Sequence, residues 1–147
     1  MGAMEPHINV VTLAVEDLER ALAFYRDGLG LRSDGIIGTE FKGDDEHPAG
    51  DAVMFPLDSG LVLALYPRTE LAKDGGVAAQ PASTGGFSIG HFVATRDEVD
   101  AVLKAASAAG GRVTDPGHDR PWGIYSGYFQ DPDGHLWEII YSPGTEA

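Results

Sequence analysis

The chain has 147 residues, 43% of them hydrophobic and 22% charged, which suits one compact domain or two small fused modules with an apolar core. Its 23 acidic and 10 basic side chains give a formal net charge of -13, which disfavours nucleic acid and anionic membranes as partners because both repel an acidic surface. The sequence contains no cysteine, which excludes disulfides and thiolate chemistry, and no apolar run near the about 20 residues of a membrane span, so we expect a cytoplasmic protein.

The first half of the chain predicts a strand, a helix and three further strands. The β-branched segment 8–15 indicates a strand. Asp17 is a plausible helix N-cap, and apolar residues at helical spacing follow until Gly28 and Gly30 end the helix. The turn Asp58-Ser59-Gly60 separates the last two strands and favours a hairpin. The three strands are expected at 31–38, 51–57 and 61–66.

The second half repeats this order after a segment rich in Gly, Ala, Pro and Ser at 68–86, which we interpret as a linker. Thr95 and Glu98 form a capping-box pattern at the start of a helix that Gly110 ends. The turn Asp131-Pro132-Asp133-Gly134 joins the last two strands. The strands are expected at 87–94, 112–115, 124–129 and 136–141.

The two halves read as a diverged duplication. The segment Gly60–Tyr66 aligns with Gly134–Ile140 without a gap, and each half has the order β-α-β-β-β. This pattern predicts a first module at 8–67 and a second at 87–142. Each module should form a small sheet with one helix on its outer face, and the inner faces should cover each other across a cleft.

Three segments together resemble the vicinal oxygen chelate superfamily of glyoxalases, bleomycin-resistance proteins and dioxygenases. They are Val11–Leu18, Phe24–Gly30 and, above all, Gly127–Glu138. The resemblance implies an α+β fold in which two βαβββ modules form a half-open barrel around a cleft, and it implies a homodimer. It does not imply one reaction, because the superfamily includes isomerases, thiol transferases, dioxygenases and drug-binding proteins.

The resemblance also implies a divalent metal held by His or Glu from the first and last strand of each module. In this sequence those positions fall on Val10, Ala64 and Glu138, with the fourth on Ser88 by the family pattern or on Gly90 by the internal repeat. Valine and alanine cannot bind a metal, so we expect no metal cofactor. If a divalent metal is bound after all, Glu138 and His91 are the candidate ligands, although strand alternation favours a helix-facing His91.

Glu138 is the candidate binding residue, because a carboxylate in an apolar strand is costly without a partner, a ligand or water. The structural alternative for Glu138 is a salt bridge to Arg112 or Arg120. Aromatic residues in the second module favour stacking on a planar ligand. The other candidate ligand-binding residues are Trp122, Tyr125, Tyr128, Phe55 and Thr12.

Three functions remain open at this point. The first is a metal-free protein that sequesters or carries a cationic or aromatic small molecule, as bleomycin-resistance proteins do. The second is a lyase, isomerase or dioxygenase of the same superfamily, either metal-dependent or using Glu138 as its general base. The third is a structural or partner-binding module in which the cleft is vestigial.

Overall fold

The computed structural model describes residues 2–83 and 85–144 and shows two four-stranded mixed sheets with helices. The strand orders are β1-β4-β3-β2 and β5-β8-β7-β6, with the sequence order β-α-β-β-β within each sheet. These sheets do not close on each other, which confirms the predicted α+β fold of two βαβββ modules in a half-open barrel. Within the described ranges, none of the helices has the length and hydropathy needed to cross a bilayer.

The first sheet and its helix contain β1, α1, β2, β3 and β4, and a second helix, α2, follows β4. Helix α1 continues without interruption into a turn with π-helical hydrogen bonds. Their bounds are β1 Val10–Val15, α1 Leu18–Leu22, the π-helical turn Ala23–Gly28, β2 Ile36–Ile37, β3 Ala52–Pro56, β4 Val62–Pro67 and α2 Arg68–Gly75. The second sheet and its helix comprise β5 Ser88–Val93, α3 Arg96–Ala108, β6 Arg112–Asp119, a 3₁₀ turn Pro121–Gly123, β7 Tyr125–Gln130 and β8 Leu136–Tyr141.

Three elements differ from the sequence-based expectation. The segment predicted as a linker begins with helix α2, which ends at Gly76 in the left-handed conformation that suits glycine. Strand β2 has only two residues, Ile36 and Ile37, because the loop before it makes no ladder. Strand β6 is longer than predicted, since two register shifts let it continue past Pro116, which cannot donate a ladder hydrogen bond.

The two sheets share one hydrophobic core on their helix-bearing sides. Phe24 packs against Phe129 with ring centroids 6.0 Å apart, and Tyr25 packs against Trp137 at 5.9 Å. Gly28 allows the closest approach, because a Cβ there would overlap the Cβ of Ala109 at the end of α3. The first and second sheets are therefore joined through their helices.

The inner faces of the sheets do not cover each other as predicted. Val10 in β1 and Phe92 in β5 lie on these faces and remain 52% and 51% exposed. The prediction was wrong on this point because strand alternation identifies two faces but does not tell which of them meets the other module. In a single chain, the inner faces are open to solvent.

A buried carboxylate connects the two sheets. Asp131 opens the turn between β7 and β8, and its Oδ1 accepts hydrogen bonds from the backbone N–H groups of Asp133 at 3.0 Å and His135 at 2.9 Å. Its Oδ2 accepts from the Tyr25 hydroxyl at 2.5 Å, and that hydroxyl accepts from Trp137 Nε1 at 3.0 Å. Burial raises the pKa of Asp131, opposed by these hydrogen bonds.

The same turn also contacts the start of helix α1. Asp133 Oδ1 accepts from the backbone N–H of Glu16 at 3.0 Å and from Arg20 Nη2 at 2.9 Å. His135 is buried, and its Nε2 donates to the carbonyl of Ala14 at 2.7 Å. The Asp-Pro-Asp-Gly turn is thus the connection between the sheets as well as a hairpin.

We predict that Tyr25→Phe lowers the free energy of unfolding by about 1–3 kcal/mol, because it leaves Asp131 Oδ2 and Trp137 Nε1 buried without a partner. Urea denaturation measures the loss. The matched control is Tyr125→Phe, which removes an exposed hydroxyl bonded to Asp100 at 2.8 Å and should cost less than about 0.5 kcal/mol. Equal losses in the two variants would contradict the structural role of Tyr25.

Candidate functional site

The inner face of the second sheet presents Glu138 at its centre. Strand β8 lies between β5 and β7, and Glu138 is opposite Gly90 on one side and Tyr128 on the other. Its neighbours Trp137 and Ile139 point to the helix side and pack in the core. Strand alternation therefore places Glu138 on the inner face, as the sequence predicted.

Glu138 is hydrogen-bonded to a buried serine. The Ser126 hydroxyl donates to Glu138 Oε2 at 2.8 Å, and Ser126 is fully buried. Arg120 Nε donates to the same hydroxyl, and Arg120 Nη2 donates to the Ser126 carbonyl at 3.2 Å. Ser126 thus links the Arg120 guanidinium to the Glu138 carboxylate through hydrogen bonds.

The salt bridge to Arg112 or Arg120, which was the structural alternative for Glu138, does not form. Arg112 donates instead to Gln130 Oε1 at 2.8 Å, and the only carboxylate that Arg120 contacts among the described residues is Asp115, at 2.8 Å. A second partner of Asp115 is His118 Nε2 at 3.1 Å. The hydrogen bonds from Arg120 and His118 lower the pKa of Asp115. Asp115 therefore holds Arg120 in place beside Ser126.

Tyr128 is the fourth member of this group of side chains. We call the group the Glu138 cluster, and its residues are Glu138, Ser126, Arg120 and Tyr128. Its ring lies under the Arg120 guanidinium, with the central carbon 5.3 Å from the ring centroid. Burial and the neighbouring Glu138 carboxylate raise the pKa of the Tyr128 hydroxyl. One face of the Tyr128 ring is already occupied by a cation, so only its edge and its other face are available to a ligand.

Trp122 is the most exposed of the predicted binding residues. It lies in the 3₁₀ turn between β6 and β7, two residues after Arg120, and is 90% exposed. Its φ of 65° is in the left-handed region, where bulky side chains are rare and cost about 1–3 kcal/mol. The turn therefore exposes the Trp122 indole to solvent, although the φ of Trp122 is unfavourable for a bulky residue.

Two of the predicted binding residues are in the wrong place. Phe55 is completely buried in the core of the first sheet, 5.9 Å from the Tyr25 ring, because its strand parity points it toward α1. Tyr125 lies on the helix side of the second sheet, where its hydroxyl donates to Asp100 and the Arg96 guanidinium covers its ring. Neither side chain reaches the inner face.

The structure brings Glu138 and Tyr128 together and places Thr12 elsewhere. Thr12 is exposed on the inner face of the first sheet, opposite Ala64. Sequence reasoning missed Ser126 and Arg120. Strand alternation from Tyr128 could have placed Ser126 on the same face, but the approach of Arg120 depends on the bulged path of β6.

The residues at the family's metal positions do not fit a divalent cation. Strands β1 and β5 begin at Val10 and Ser88, at the same spacing before their helix N-caps, so Ser88 is the equivalent of Val10. The four positions then hold Val10, Ala64, Ser88 and Glu138, which supply one carboxylate. In the described part of the chain, no group of three or more His, Asp or Glu side chains could hold an ion.

His91 does not extend this donor set. It is opposite Ile139 in the register of β5 and β8 and lines a small pocket with Val102 and Ala105 of α3. The neighbouring pair, Gly90 and Glu138, points to the inner face. Glu138 and His91 therefore lie on opposite sides of the sheet and cannot share one ion, which corrects the alternative metal site.

Comparison with known proteins places this fold among proteins with several activities. The family model described as the Glyoxalase/Bleomycin resistance protein/Dioxygenase superfamily matches residues 7–139. A lactoylglutathione lyase of Haemophilus influenzae is 27% identical over 136 residues, with 92% of each chain covered. A putative lactoylglutathione lyase of Brassica oleracea is 28% identical over 131 residues, and this chain spans only 42% of its length.

Solved structures extend the similarity. A glyoxalase-related enzyme from Fulvimarina pelagi has a TM-score of 0.78 and 30% identity, covering 95% of this chain and 90% of that one. A lactoylglutathione lyase from Agrobacterium tumefaciens has a TM-score of 0.68 and 25% identity, covering 97% and 100%. Both resemble this chain over nearly its whole length.

We predict that Glu138→Gln lowers the pKa of the Tyr128 hydroxyl, because the substitution removes a negative charge that opposes ionisation of the phenol. The pKa should stay above its ordinary value, since the burial of Tyr128 is unchanged. An NMR titration of ¹³C-labelled tyrosine measures it. Tyr66 in the first sheet is the internal control, because burial and other carboxylates raise its pKa. An unchanged Tyr128 titration would contradict the contact.

Proposed function

The chain belongs to the glyoxalase/bleomycin resistance protein/dioxygenase superfamily, and from this premise we propose that it is a metal-free protein that binds a small molecule around Glu138. One observation carries the proposal: of the four positions that hold a metal in catalytic relatives, Glu138 alone bears a donor that binds divalent cations well. The apolar residues Val10 and Ala64 remove two ligands outright. A lone carboxylate holds such a cation weakly.

The surroundings of Glu138 support a role in binding. Its carboxylate accepts a hydrogen bond from Ser126, lies beside the Tyr128 hydroxyl and forms no direct ion pair with the described residues. An ionised carboxylate has about four lone-pair sites, so Glu138 retains the capacity to accept from a ligand. A ligand N–H or ammonium group would satisfy it, and the exposed Trp122 indole offers a surface on which an aromatic body stacks.

A second candidate function is enzymatic, and the comparisons favour it. Relatives at 27–28% identity are named lactoylglutathione lyases. In this alternative, Glu138 is the general base of a reaction without metal, or a metal is recruited by ligands outside the family positions. Formation of S-lactoylglutathione, the compound in the relatives' names, from glutathione and 2-oxopropanal is the assay that distinguishes the two functions. Conversion that is lost in Glu138→Gln would establish the enzyme, whereas binding without conversion supports the first proposal.

We predict that Glu138→Gln weakens cationic aromatic ligands by about 1–3 kcal/mol, because it removes a charged hydrogen-bond acceptor, and leaves neutral aromatic ligands nearly unchanged. Trp122→Ala should weaken both classes by about 1 kcal/mol through lost stacking. Calorimetric titration of matched cationic and neutral aromatic compounds measures these effects.

Glu19→Gln, an equal charge change on the exposed side of α1, is the matched control and should affect neither class. Equal losses of both ligand classes in Glu138→Gln would show that the carboxylate is structural. Elemental analysis of the purified protein accompanies the titration. A divalent ion near one per chain would overturn the metal-free proposal.

We also propose that two copies of the chain associate through their inner faces. The support is the exposure of apolar side chains there, since Val10 and Phe92 remain half exposed in a single chain and exposed apolar surface favours association. A second copy would cover these residues and enclose the Glu138 cluster from the side that is open to solvent. The pocket would then be formed by residues of both chains.

We predict a dimer in light scattering at micromolar concentration and a shift to monomer in Phe92→Glu, because an ionised carboxylate is costly to bury in an apolar contact. Ala101→Glu is the matched control, since Ala101 is exposed on α3, the helix that covers the outer face of the second sheet. A monomeric parent protein, or equal dissociation of both variants, would contradict this assembly.

A further inference from the structure

A cavity separate from the Glu138 cluster lies beside β2, at the edge of the first sheet. It has a volume of about 590 Å³ and is formed between the loop 30–35 and the adjacent strands β2 and β3. Strand β2 is the edge strand of this sheet, and the cavity shares no residue with the Glu138 cluster on the second sheet. Its volume is within the range of pockets that hold small organic ligands.

Two arginines line this cavity in a chain with only 10 basic side chains. Arg26 is bonded through Nε to Asp27 at 3.0 Å, and its Nη1 lies near Gly35, where an added Cβ would come within 3.7 Å. Arg32 is exposed and forms no hydrogen bond or ion pair with the described residues. The terminal nitrogens of Arg26 and the whole guanidinium of Arg32 are therefore available as donors.

Arg32 differs from the other arginines of this protein because its guanidinium has no acceptor among the described residues. Every other arginine donates to a side-chain acceptor, as would be expected where acidic groups outnumber basic ones by more than two to one. The acceptors are Asp133 for Arg20, Asp27 for Arg26, Glu16 for Arg68, Asp119 for Arg96, Gln130 for Arg112 and Asp115 for Arg120. Arg32 faces a cavity instead of a carboxylate.

The loop adds backbone donors to the same wall. The N–H groups of Arg32, Ser33 and Asp34 have no acceptor among the described residues, and only that of Gly35 is bonded, to Ser33 Oγ at 3.1 Å. Asp34 contributes one opposing carboxylate to the lining. Asp27 already pairs with Arg26, so the preference for an anion rests on the unpaired guanidinium of Arg32, the remaining donors of Arg26 and the three unbonded amides.

The opposite wall is apolar and exposed. Ile37 and Met54 are 46% and 39% exposed, and Pro56 and Leu31 extend the same surface. Exposed apolar side chains beside unpaired cationic donors suit a molecule with an anionic head and a hydrocarbon body. Burial of that body would contribute about 0.8 kcal/mol per methylene group.

We propose that this cavity is a binding site for a small monocarboxylate with an apolar body. The carboxylate is held by Arg32, assisted by Arg26, and the hydrocarbon lies on Ile37 and Met54. Arginine suits this role because its planar guanidinium donates two parallel hydrogen bonds to a carboxylate. The site shares no residue with the Glu138 cluster and selects the opposite charge, although Met54, opposite Ala64, lies on the inner face that the proposed second copy approaches.

Octanoate is the probe, and 1-octanol and octylammonium are its neutral and cationic counterparts of equal chain length. We expect saturable binding of octanoate in calorimetry at millimolar concentrations or below, with affinity falling about fourfold for each methylene group removed. Octanol and octylammonium should bind at least about tenfold more weakly, because they lack the charge that Arg32 recognises. Octylammonium binding equal to that of octanoate would overturn the proposal.

Substitutions of charged residues test whether octanoate binds at Arg32. Arg32→Gln should weaken octanoate at least about tenfold without affecting the fold, since the exposed Arg32 forms no hydrogen bond or ion pair with the described residues, and Arg32→Lys should recover part of the loss. Lys104→Gln, an equal charge change on α3, is the matched control, and Glu138→Gln should leave octanoate binding unchanged. An unaltered affinity in Arg32→Gln, or equal losses in Arg32→Gln and Lys104→Gln, would overturn the proposal.

Discussion

The hydrogen bond from Tyr25 to the buried Asp131 is the interaction on which the arrangement of the two sheets depends. A buried carboxylate loses its hydration, and only a complete set of donors offsets that cost. Here two donors come from the turn itself and the third comes from the other sheet. The Asp131 carboxylate therefore has all three of its donors only when the turn contacts the helix of the first sheet, so folding of the turn and docking of the sheets support each other.

The exposure of Glu138 follows from the way in which the two sheets are connected. Because Phe24 and Tyr25 are consecutive in the π-helical turn, their side chains diverge around the helix axis, and one contacts Phe129 while the other contacts Trp137. Both contacts draw the second sheet to the helix side of the first. The inner faces are left uncovered, and Glu138 stands on one of them, supported by Ser126 and Arg120.

The distribution of charge separates the two proposed sites. At Glu138, the nearby arginine is already engaged by Asp115, so a carboxylate is the group that remains for a ligand. At the edge cavity, the opposite holds, because Arg32 forms no ion pair with the described carboxylates and three loop amides have no acceptor among the described residues. The two proposed sites therefore prefer ligands of opposite charge, and the net charge of -13 does not indicate this difference.

The sequence by itself determined the strands, the helices α1 and α3, their duplication, the superfamily and the inward direction of Glu138, because strand alternation, caps and turn residues act over a few neighbouring residues. It missed α2 and the lengths of β2 and β6. It also indicated that His91 faces the helix. It did not place Phe55 and Tyr125, whose facing was inferred from composition and not from parity. The tertiary structure alone decided which faces of the sheets meet, that Arg120 supports Ser126, and that Arg32 borders a cavity. These depend on contacts between residues far apart in the chain, such as Tyr25 with Asp131, which no local pattern encodes.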